Sequence, residues 1–145
     1  MIVTKNKEEL EIMRRAALMV SKTLGIIAAE IKPGVTTLRL DTLAEQYIRD
    51  NGAIPGFKGL YDCPSTLLIS PNEEVVHGIP KEVAIQEGDV LSIDCGAIVD
   101  GFYGDHAYTF TVGEVPQETI DLLDRTKNSF NLGTDKLREV SRLKK

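Results

Sequence analysis

The sequence predicts an α+β domain, and three observations carry that expectation. Two N-terminal segments repeat apolar residues every three or four positions. A central block from Ala53 to Val112 switches to short β-rich runs broken by Gly, Pro and Asn, and a helical pattern returns after Pro116. At 145 residues the chain suits one compact domain, 1–145, with room for a core. The pattern predicts an antiparallel sheet packed by helices.

The first helix is expected over 7–31. Leu10, Met13, Ala17, Val20, Leu24, Ile27 and Ile31 fall on one stripe, Asn6 with Glu9 fits a capping box, and Lys32-Pro33-Gly34 stops the helix. A second runs from about Leu38 to Asp50, capped by Thr36 or Thr37 and ended by Asn51-Gly52, with Leu40, Leu43, Ala44, Tyr47 and Ile48 buried. Strands are expected at Thr66–Ile69, Val90–Ile98 and Phe102–Val112. A third helix is expected over 116–132, with Pro116 in its first turn. The charged tail DKLREVSRLKK offers no cap, and no internal repeat or low-complexity tract is visible.

Composition excludes several classes. A net charge of −5 gives no sign of nucleic-acid binding. The N-terminus is too polar for a signal peptide, and no run approaches a membrane span. Cys63 and Cys95 do not make a disulfide framework, so free thiols in a reducing cytoplasm are expected.

The chemistry is concentrated in SIDCGAIVDGFYGDHAYTF, residues 92–110. Asp100-Gly101 is a two-residue hairpin signal. A turn there pairs Val99 with Phe102, sets Asp94 opposite Ala107 and sets Asp105 opposite Gly96. All four then share one face, with the aspartates as diagonal neighbours roughly 7–8 Å apart at the backbone. Small residues opposite them leave space. Ile93, Cys95, Ala97 and Val99, with Phe102, His106, Tyr108 and Phe110, fall on the other, apolar face. Two readings of the aspartates are open. They are ligands of a hard divalent cation, or carboxylates that are solvated or paired with Lys or Arg. His77, in SPNEEVVHGIP, sits at a strand-to-loop junction. It is either a hydrogen-bond donor or ligand, or a histidine satisfied by backbone at the turn.

Taken together, NEEVVHGIP (72–80), GDVLSIDCGAIVDGFYGDHAYTFTVG (88–113) and IKPGVTTLRLDTLAEQYI resemble the methionine aminopeptidases over nearly the whole chain. Asp94 and Asp105 are eleven positions apart, the spacing of that family's first two metal ligands. The resemblance implies a pita-bread fold of two similar halves, of which this would be the N-terminal one. It implies two divalent ions (cobalt, manganese, iron or zinc) held partly by Asp94 and Asp105, and His77 contacting the amide beside the scissile bond. The activity implied is removal of methionine from peptide or nascent-protein N-termini. Three further ligands, one His and two Glu, would come from a second half that begins beyond Lys145. His106 cannot replace the missing histidine, because it alternates onto the other face. An incomplete site would leave a peptide- or protein-binding module, or a half that pairs with a second copy through its open face. A prolidase-like enzyme is the alternative within the fold. In GLYDCPSTLLIS, Leu60, Asp62, Cys63 and Leu68 stand where many members carry an aromatic, Gly, an aromatic and Cys. Tyr61, Cys63 and Leu68 are the candidates for lining an apolar pocket, although Cys63 is equally an ordinary small buried residue. Val140 occupies a position where the family's tail usually has Gly.

Overall fold

A computed structural model describes residues 3–139. The chain divides into two units, residues 1–114 and 115–145.

In the first unit, helix α1 (Lys7–Glu30) starts at the expected capping box: Asn6 Oδ1 accepts from the Glu9 N–H and Glu9 Oε2 from the Asn6 N–H, both at 2.8 Å. Its buried stripe is Ala16, Val20, Thr23, Leu24 and Ile27, so Leu10 and Ala17, expected inside, are exposed. The cause is a close crossing. A Cβ on Gly104 would strike the Ala16 backbone, so the helix rests on the sheet at Ala16 and turns Ala17 outward. Helix α2 (Thr37–Asp50) is capped by Thr36, whose Oγ1 accepts from the Arg39 N–H, and it buries Leu40, Ala44 and Ile48.

The strands are β1 (Ile54–Pro55), β2 (Leu67–Pro71), β3 (Val90–Val99) and β4 (Phe102–Thr111), all paired antiparallel. Strand β3 is the centre. It pairs along its whole length with β4, while β1 and β2 share its other side, opposite residues 97–98 and 91–95 respectively. The β3–β4 turn forms at Asp100-Gly101, both with positive φ (47° and 82°), as a two-residue hairpin matched to strand twist requires. The core face carries Leu67 and Ile69 of β2 with Leu91, Ile93, Cys95 and Ala97 of β3, all buried under the helices. His106 and Tyr108 of β4 lie on this face as expected but are exposed. With Ser21, Gly25 and Ala28 they border a shallow recess of about 200 Å³ beside α1. The two-residue β1 and a 3-10 turn at Leu60–Asp62 are too short to show a periodicity in the sequence.

In the second unit, helix α3 (Gln117–Glu139) runs seven residues past the expected end at 132. Gly133 does not interrupt it; a single glycine costs a helix only about 1 kcal/mol. Val140 lies outside the described residues. Among the described residues no helix is long and apolar enough to cross a membrane.

Candidate metal centre

The register places Asp94 opposite Ala107 and Asp105 opposite Gly96. Antiparallel partners share a face, so both carboxylates project from the side of the sheet away from α1 and α2. Strand β2 adds Leu68 directly across from Asp94 on the other side of β3, making a row Leu68–Asp94–Ala107. The space opposite Asp105 is not vacant, as expected from the sequence, but roofed. The ring of Phe57 lies over Gly96, with its Cε1 2.7 Å from where a Cβ would stand, and the Gly56 N–H donates to the Gly96 carbonyl at 2.8 Å. A side chain at position 96 would expel that ring. Phe57 therefore belongs to the walls of the site, and no pattern in its own segment signalled it.

The electrostatics are those of a crowded anionic pair. The Asp94 carboxyl titrates above the ordinary carboxylate range, first because burial strips it of water and then because Asp105 lies beside it. The Cys95 N–H and the nearby His77 imidazole offset part of that rise. Asp94 Oδ1 is fully buried and makes no hydrogen bond to any described residue. A buried polar atom normally finds a partner, and leaving one unpaired costs about 1–3 kcal/mol. No Lys or Arg forms an ion pair with either aspartate among the described residues. The reading in which the pair is neutralised by a basic side chain thus finds no support. Two oxygen donors on one face, one of them buried and unpartnered, fit a hard divalent cation. Among the described residues no group of three or more potential ligands gathers.

His77 reaches this face from the loop that follows β2. It is exposed, in the left-handed region (φ 62°), a conformation uncommon for a residue with a side chain. The other pocket candidates are less gathered. Leu68 is half-buried in the Asp94 row. Cys63 is half-buried with its Sγ 3.6 Å from the Ser65 carbonyl and hydroxyl. Tyr61 is 96% exposed and covers nothing as it stands. His106 faces away, paired with Cys95.

A second residue that no sequence motif signalled supports the site from behind. Asp41, inside the buried stripe of α2, is 5% exposed, and its Oδ1 accepts from the N–H groups of Thr66 and Leu67 at 2.9 and 2.7 Å. It fixes the start of β2, and so the strand that carries Leu68. Burial raises its pKa, while the two N–H donors and Lys58 pull the other way. A carboxylate between Leu40 and Ala44 on an otherwise apolar face was the available signal.

Residues 11–145 match the model of metallopeptidase family M24. The chain is 42% identical over 143 residues to the methionine aminopeptidase of Clostridium perfringens, covering 99% of itself and 57% of that protein. It is 48% identical over 137 residues to that of Clostridium acetobutylicum, covering 94% and 55%. The crystal structure of the Rickettsia prowazekii methionine aminopeptidase superposes with a TM-score of 0.86 at 33% identity, over 88% of this chain and 52% of that one. The Pyrococcus furiosus prolidase, at 24% identity and a TM-score of 0.69 over 81% and 33%, shows the shared fold alone. The chain spans about half the length of the curated relatives it matches. With the two aspartates in register, a buried oxygen unpartnered and the match running over residues 11–145, the chain belongs to metallopeptidase family M24.

Proposed function

We propose that this chain supplies the aspartate half of a methionine aminopeptidase site, which removes methionine from peptide and nascent-protein N-termini. The observation that carries the reading is the pairing of Asp94 and Asp105 on one face with the Asp94 Oδ1 buried and unpartnered. Asp94 and Asp105 would hold two divalent ions (cobalt, manganese, iron or zinc), together with donors from the rest of a longer fold. When bound, such ions lower the pKa of a water and polarise the carbonyl it attacks. The chain's own residues orient the substrate. His77 donates a hydrogen bond to the amide beside the scissile bond, and Leu68, with Cys63 and Tyr61 nearby in sequence, offers apolar surface to the methionine side chain. Two unpaired thiols fit a cytoplasmic setting. The greater similarity to methionine enzymes than to the prolidase favours a methionine substrate.

The test is hydrolysis of a Met-Ala-Ser peptide with added cobalt or manganese, comparing the chain with Asp94→Asn. With the remaining donors of the longer fold supplied, metal-dependent release of methionine that vanishes in the variant is the expected result. Cleavage of Xaa-Pro but not Met-Ala peptides would overturn the substrate assignment.

The absence of any cluster of three ligands among the described residues favours one second reading: a non-catalytic half that binds peptides or proteins, or a second copy, through the face carrying Asp105 and Ala107. No metal-dependent turnover, with a dimer seen by light scattering, is its signature.

A further inference from the structure

The aspartates are fixed by strand pairing, but His77 is not on the sheet. It sits in the irregular segment between β2 and β3, exposed and in a left-handed conformation. Its imidazole lies near enough to Asp94 to interact with it electrostatically, an attraction that fixes no orientation. The backbone next to it is tied to β2. Ser70, 3% exposed, lies on β2 two residues beyond Leu68, hence on the same face as Asp94, opposite Ser92. Its hydroxyl accepts from the Gly78 N–H at 3.0 Å, while the Ile69 N–H donates to the Gly78 carbonyl at 2.7 Å. Gly78 is clamped so closely that a Cβ would run into the Ile69 carbonyl. Glu74 also borders Gly78 with its carboxylate and pairs with Lys81, and other anchors lie farther along the segment. Asn72 is held at one end by its N–H to the Val90 carbonyl, and Lys81 at the other by reciprocal bonds with Thr37.

We propose that Ser70 is a positioning residue: its bond to the Gly78 N–H sets the place of the His77 imidazole relative to Asp94. The relevance to substrate rests on the function proposed above, but the positioning does not. Position 70 is otherwise a plain strand site, where an Ala or Val would pair as well. The hydroxyl matters only as the acceptor that a clamped glycine needs.

The chain contains two histidines, which makes the test internal. His106 lies on the other face of the sheet and reports global disturbance; His77 reports the loop. Side-chain NMR signals of both are compared in the full chain, in Ser70→Ala and in Ser70→Thr, which keeps a hydroxyl. Expected for Ser70→Ala are displaced and broadened His77 signals, unchanged His106 signals, and Gly78 amide exchange roughly five- to tenfold faster, the loss of one ordinary hydrogen bond. Ser70→Thr should restore the His77 signals. Faster exchange at Gly78 with His77 unmoved would overturn the proposal, leaving Ser70 as a partner for a buried amide and nothing more. Movement of both histidines in Ser70→Ala would overturn it too, as a general loss of structure. Slow exchange of the Gly78 amide in the unaltered chain checks the bond without any variant, and rapid exchange there would remove its basis. Added manganese separates this from the functional reading. Broadening of His77 by the metal that disappears in Asp94→Asn supports that reading. Its absence would count against the metal site while the metal-free comparison still decides the role of Ser70.

Discussion

Replacing Asp41 by alanine should destabilise the chain more than any other exchange of a polar residue in α2. The Thr66 and Leu67 N–H groups both end on Asp41 Oδ1, and both residues are fully buried. Alanine leaves two buried donors without a partner, at about 1–3 kcal/mol each. Release of a carboxylate that burial disfavours returns part of this, so a net loss of about 2–4 kcal/mol is expected. At this chain length about 3 kcal/mol corresponds to a drop in Tm of about 6–12 °C. Asp41→Asn keeps an oxygen where both donors point and should lose far less. The two variants also predict a pH dependence. The folded pKa of Asp41 is raised above 3.8. Such a group adds stability that is complete below the unfolded value and is lost as pH rises through the folded one. The unaltered chain should therefore lose ground to Asp41→Asn as pH rises above 3.8. Urea unfolding followed by circular dichroism at several pH values measures all of this. Asp41→Ala within about 0.5 kcal/mol of the unaltered chain, the range of an ordinary surface exchange, would mean that the two amides do not depend on Asp41. An Asn variant as damaged as the Ala variant would place the effect in the charge, not the acceptor.

Cys95 is fully buried, and burial above all pushes its thiol up to about 12, with Asp94, Asp105 and Asp41 adding to the rise. In native conditions a thiol reagent should label Cys63 alone, with Cys95 reacting only in denaturant. Because the folded value exceeds the reference of 9.0, this group's contribution is complete below pH 9.0 and declines towards pH 12, a decline that Cys95→Ala should lack. Gly104→Ala drives a Cβ into the Ala16 backbone and should cost about 1–3 kcal/mol in urea unfolding. Gly25→Ala, in open space within α1, should instead stabilise by about 0.5–1 kcal/mol.

What the sequence could reveal depended on whether a feature was periodic. The β3–β4 register followed from one Asp-Gly turn and the parity of a strand, so Asp94, Asp105, Gly96 and Ala107 fell where expected. The caps of α1 and α2 are local hydrogen bonds written within four residues, and they too were legible. Features that join distant segments were not. Phe57 covers Gly96 because β1 docks at residues 97–98, a two-residue pairing with no pattern of its own. Asp41 looks like a flaw in an amphipathic helix until the Thr66 and Leu67 N–H groups come to meet it. The stripe of α1 was shifted by the approach of Gly104, which no count along the helix contains. The positive φ of His77, beside a Gly78 bonded to β2, belongs with these.

If Asp94 and Asp105 form one shared cation site, calorimetric titration with manganese will register it. The chain should bind the ion, and Asp94→Asn and Asp105→Asn should each weaken binding strongly, with the double variant losing little more than either alone. Equal binding by the unaltered chain and both single variants would mean that the aspartates hold no cation.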